Sequence, residues 1–115
     1  MILPVKETPK SQQRFHELIE MYHRRSERMV RDLLEGRKKA KERIRDNNYI
    51  CGNEHEIIDG IRHDYQWIII YVGSESVRIC YVVQPDRIVI FWYWRSNDSL
   101  TDPRIMEAFS AVWRS

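Results

Sequence analysis

The sequence predicts an α+β domain, on three observations. Apolar residues recur at helical spacing through the N-terminal third, at Phe15, Leu18, Ile19, Tyr22, Met29, Val30, Leu33 and Leu34. From Gln66 onward the period shortens: Gln66 to Val72, Val77 to Val83 and Arg87 to Trp94 are rich in β-branched and aromatic residues and are separated by GSES and QPD. A second helical stripe, Ile105, Met106, Phe109, Val112 and Trp113, closes the chain. The expected architecture is a long N-terminal helix, or a helical hairpin in its place, then a three- to four-stranded antiparallel sheet and a short C-terminal helix docked on it. At 115 residues the chain has the size of one domain, residues 1–115, with a single core.

Each element has a local reason. Ile2 to Val5 supplies an edge strand as the fourth of the sheet. Thr8-Pro9 is a helix cap followed by proline at the first helical position. Gly36 is expected to end that helix, leaving Arg37 to Arg45 as a shorter helical piece or a basic extension. With Ile44 its sole large apolar residue, that segment is expected on the surface. Asn47, Asn48, Gly52 and Asn53 mark an irregular connection; Asp59-Gly60 is a turn, and Ile57, Ile58 and Ile61 around it need burial. Thr101-Asp102-Pro103 opens the last helix.

Pairing Val83 with Ile88 across the last hairpin sorts the side chains. One face receives Val77, Ile79, Tyr81 and Val83 against Trp94, Trp92, Ile90 and Ile88, joined by Ile68 and Ile70. The other receives Trp67, Ile69, Tyr71, Arg78, Cys80, Val82, Val89, Phe91 and Tyr93. That second face is too apolar to stay wet, so the C-terminal helix, a partner or a second copy of the chain is expected to cover it. Trp67, Tyr71 and Phe91 are its candidate partner-binding residues, while Trp92, Trp94 and Trp113 read as core. A one-residue slip would move Arg78 onto the face of Trp92 and Trp94.

Composition excludes several classes. With 43% hydrophobic and 31% charged residues, disorder is excluded. Apolar runs such as Trp67 to Val72 fall far short of the roughly 20 residues a membrane helix needs. The start MILPVKETPK lacks a secretory signal pattern, so the expected location is cytoplasmic and Cys51 and Cys80 are expected as thiols. Cys51, His55 and His63 match no zinc spacing, His16 and His23 share a helix face as solvated or packed side chains, and no cofactor motif occurs; no metal or cofactor is expected. Charge is uneven: Lys10 to Arg45 carries twelve Lys and Arg against six Asp and Glu, whereas Asp46 to Ser115 carries six against ten. Arg37, Lys38, Lys39, Lys41 and Arg43 are therefore candidate phosphate contacts, a solvated helix face being the alternative.

Three segments resemble the RelE/ParE-type toxins of toxin–antitoxin systems. Ile57-Ile58-Asp59-Gly60-Ile61-Arg62 is similar to that family's leucine-x-glycine-x-arginine lead-in, and Val77-Arg78-Ile79-Cys80-Tyr81 to its YR(V/I)xY strand. Asp86 to Ile90 followed by Trp94-Arg95 is similar to its last strand with a terminal basic residue, although Tyr93-Trp94, and no histidine, precede Arg95. The resemblance spans Glu56 to Asn97. It implies a toxin held by an antitoxin and, in the RNA-cleaving branch, a metal-independent ribonuclease acting at the ribosome. There Arg78 and Arg95 would clamp phosphate, Tyr93 or Tyr81 would stack a base or assist proton transfer, and His63 would be the acid–base group. The branch that acts on DNA gyrase needs no such residues. The alternative is a nonenzymatic phage or accessory-genome protein that binds nucleic acid or inhibits a protein, its αβββα order matching double-stranded-RNA-binding domains in topology only.

Overall fold

The structure, a computed structural model, describes residues 3–46, 52–98 and 102–114. Ile2, Asn47, Asn48, Cys51 and Thr101, which enter the expectations above, lie outside them. In chain order the elements are β1 (Val5–Glu7), α1 (Pro9–His23), α2 (Glu27–Asp46), β2 (Gly52–Ile58), β3 (Ile61–Val72), β4 (Glu75–Val83), β5 (Ile88–Arg95) and α3 (Pro103–Arg114). The fold is α+β, with the short C-terminal helix in place. Among the described residues no helix is long and apolar enough to cross a membrane.

The N-terminal helical region breaks at Arg24 to Ser26, not at Gly36. Thr8 caps α1 by accepting from the Ser11 amide at 3.1 Å, and Ser26 opens α2 by accepting from the Arg28 amide at 3.2 Å. Gly36 sits inside α2 for a different reason. A Cβ there would come within 3.1 Å of the Ile70 side chain, so the missing side chain lets helix and sheet approach. Leu33, Ala40 and Ile44 are buried along the same stripe, which corrects the expectation that Arg37 to Arg45 lies on the surface.

The sheet has five strands in the order β1-β5-β4-β3-β2, and it is mixed: β1 runs parallel to β5 while the other pairs are antiparallel. An antiparallel sheet of three or four strands is thus corrected on both counts. The additional strand, β2, is the segment expected to be irregular. Its polar sequence has little strand character, and pairing forms it: Asp59 (φ 53°) and Gly60 (φ 78°) both take the left-handed conformation of a tight hairpin turn, closing Ile58 onto Ile61. Ile58 is buried, but Ile57 and Ile61 are 57% and 62% exposed at the hairpin tip, against the expectation that all three are covered.

Val83 does pair with Ile88, yet the ladder shifts one step further on. Tyr81 pairs with Ile90 and Cys80 with Trp92, leaving Phe91 as the extra residue of a β-bulge. Phe91 and Trp92 consequently share one face, and every later residue of β5 is reversed relative to strict alternation. Tyr93 joins Ile79, Ile88 and Ile90 beneath α1 and α2, whereas Trp92 and Trp94 join Cys80, Val82 and Phe91 on the face where α3 packs. Helices α1 and α2 close the first face; Ala108, Phe109 and Val112 of α3 close only part of the second.

Candidate functional site

On the helix side, charges are bound to one another. The Glu7 carboxylate accepts from Arg37, from Lys41 at 2.9 Å and from the Tyr93 hydroxyl, which also receives Arg37 Nε at 3.0 Å. Burial alone would raise the Glu7 carboxyl, but these hydrogen bonds outweigh it and hold the group below its usual range. Burial and the adjacent carboxylate push the Tyr93 hydroxyl up, so it keeps its proton. At the other end of β5, Arg95 donates to both carboxylate oxygens of Glu75, at 2.9 and 3.2 Å, and holds that carboxyl down at about 2. Arg14, buried in α1, is likewise matched by Asp98 at 2.6 Å and Glu17 at 3.1 Å.

Arg78 differs. The bulge sets it across from Trp94 on the α3 side, and its guanidinium carbon lies 4.5 Å from the Trp67 ring centroid and 4.9 Å from that of Trp94. Trp67 in turn lies against the bare backbone of Gly52, where a Cβ would fall 2.3 Å from the indole. The cation thus lies over two indoles. No carboxylate among the described residues pairs with it. A guanidinium that no carboxylate takes keeps its N–H groups for an anion.

Around Arg78 the sheet is open, because α3 stops over Tyr65, Phe91 and Val89. A cavity of about 160 Å³ is lined by Arg78 with Ile69, Ser76, Trp94 and Ser96. The buried Trp94 indole N–H has no acceptor among the described residues. Ile69 also walls a groove of about 370 Å³, which runs past Tyr71 to Lys39 and Arg43 of α2. Tyr71 is 75% exposed there. Asp32 and Glu35 line the same α2 wall of the groove as Lys39 and Arg43, and Asp32 accepts from the Gly73 amide at 3.2 Å.

The residues expected to be catalytic therefore do not converge. Arg78 lies on the open half, Tyr93 and Arg95 lie on the opposite face within ion-pair networks, and His63 stacks on Trp113 of α3 at 4.7 Å with Phe109 at 6.4 Å. Of the expected phosphate contacts, Lys38, Lys39 and Arg43 are exposed, while Arg37 and Lys41 are spent on Glu7. Of the expected partner contacts, Trp67 and Tyr71 border the open half, but Phe91 is buried against Phe109 at 5.1 Å. His55 pairs with Asp64, and His63 is the next residue on β3, so the two histidines point to opposite faces; Cys51 lies outside the described residues. Trp94, Ser76 and Ser96 were not anticipated at the site. No glycine or other local marker announces the bulge that brings Trp94 there. Comparison of the chain with protein-family models, with curated proteins and with solved structures found no match.

Proposed function

We propose that the chain is a nonenzymatic binding module that takes single-stranded nucleic acid along the open half of its sheet. The observation that carries this reading is the Arg78 guanidinium, which lies over Trp67 and Trp94 and pairs with no carboxylate among the described residues. Single-strand sites combine cations that follow the backbone with aromatic faces for the bases, and here the Arg78 cavity shares Ile69 with the groove that holds Lys39, Arg43 and the exposed Tyr71 ring. Among the described residues, none around Arg78 offers an acid–base pair: His63 lies four residues before Trp67 on β3, under α3. Binding without cleavage is the reading these positions favour.

Fluorescence anisotropy with a labelled single-stranded RNA of about ten nucleotides tests it. Affinity is expected to fall as salt rises, and Arg78→Ala is expected to weaken binding about tenfold or more, while Arg87→Ala, outside the cavity and the groove, leaves it unchanged. Absence of binding, or equal binding by Arg78→Ala, overturns the reading.

A RelE/ParE-like toxin is the second reading, favoured by the order of a helical pair, an antiparallel meander and a C-terminal helix, with Arg78 presented from the middle strand. In it the open half would meet the target or the antitoxin. Growth arrest on induced expression, relieved by Arg78→Ala, is its expected signature; unimpaired growth on induction of the wild-type chain rules it out.

A further inference from the structure

At the other end of the sheet from Arg78, α3 and β1 border an open hollow of about 430 Å³. Its floor and roof are apolar: Val89 of β5 below, Ala108, Ala111 and Val112 of α3 above. Val89 pairs with Lys6 of β1, so alternation turns both side chains to this face while Glu7 turns to the other. The small Ala108 and Ala111 side chains leave room that larger residues would fill. A hollow of this size and character lies in the range of small-molecule sites, which bury an apolar body and fix it with a few polar groups.

The rim decides the chemistry. Lys6 and Arg87 pair with no carboxylate among the described residues, Arg87 donating instead to the Gln84 amide oxygen at 2.9 Å. Lys10 is matched by Glu107 at 3.6 Å. Glu7 is the one carboxylate of the lining, and it is committed to Arg37, Lys41 and Tyr93. Two uncompensated cations over an apolar floor suit an anion that carries an apolar tail.

We propose that this hollow binds a medium-chain carboxylate, its tail along Val89, Ala108 and Val112 and its head between Lys6 and Arg87. Calorimetric titration of the full chain with octanoate, 1-octanol and acetate tests it. Saturable one-to-one binding of octanoate is expected, with octanol weaker by about tenfold for want of the charge, and acetate without detectable binding for want of the tail. Ala111→Trp, on the exposed side of α3, is expected to abolish octanoate binding by filling the hollow. Lys6→Glu is expected to weaken it by about tenfold or more, with far-UV circular dichroism unchanged in both variants. No binding of octanoate, equal binding of octanol, or wild-type affinity in both folded variants overturns the proposal.

Discussion

Arg78 and Arg95 stand on neighbouring strands, on opposite faces of one sheet, and their surroundings differ in kind. Arg95 faces the helices, where Glu75 takes two of its N–H groups and Tyr22 packs beneath it. Arg78 faces the open half, where its guanidinium lies over two indoles and no carboxylate among the described residues pairs with it. The closed side follows the same rule throughout: Glu7, Arg37, Lys41 and Tyr93 satisfy one another, as do Arg14, Asp98 and Glu17. A buried charge must be matched to be tolerated, so a matched one speaks for stability and says little about partners. The two arginines look alike in sequence, and the presence or absence of a carboxylate separates their roles.

The largest effect that would break this contrast is expected at Glu7. Removing it by Glu7→Ala leaves Arg37, Lys41 and the Tyr93 hydroxyl without their shared acceptor. A loss of about 3 kcal/mol in urea denaturation is expected, at the low end for a broken buried pair because both cations retain a route to water. A loss below about 0.5 kcal/mol, the range of an ordinary surface substitution, would mean that the closed side is no more committed than the open one.

Next in size is an acid effect at Glu75. Its folded carboxyl titrates at about 2, below the ordinary 4.5, so the stability it contributes is complete above about pH 4.5 and is lost as pH falls toward 2. Melting temperature should therefore drop through that window, and Glu75→Gln should remove part of the drop. An unchanged pH profile in the variant would disconnect Arg95 from the stability of the closed side.

The smallest expected effect sharpens the open side. Gly52→Ala must push the Trp67 indole off its backbone seat and away from Arg78, at a cost of about 1 kcal/mol on an edge strand. The Trp67 indole N–H resonance is expected to shift while that of Trp113 stays, and RNA affinity is expected to fall with it. A shifted resonance with undiminished affinity would show that the two-indole contact is dispensable for binding.

Much of the architecture was legible because its causes are local. The Thr8-Pro9 cap, the β3 to β5 meander and the stripe of α3 follow from spacing and turn residues within a few positions of each other. Gly36 shows where local reasoning misleads: its sequence context marks a helix end, whereas its environment, the Ile70 side chain across the layer, requires a glycine inside a helix. β2 was hidden for the complementary reason, since Gly52 to Glu56 has few strand-forming residues and is held by pairing with β3. Of the site, Arg78, Trp67 and Tyr71 were visible as members of one sheet face. Tyr93 was assigned to that face and Trp94 to the other because strict alternation carries no record of an inserted residue.

By itself the sequence determined the α+β class and the meander, because periodicity and turn chemistry act over short stretches of chain, whereas the Val83 to Ile88 register was one of two open pairings. Only the tertiary structure decided which cations remain available and which face each residue beyond Phe91 occupies. Pairing of Glu7 with Arg37, and of Arg14 with Asp98, joins residues 30 and 84 positions apart. The bulge at Phe91 puts one extra residue into the β4–β5 ladder, and that residue separated Arg78 from Arg95.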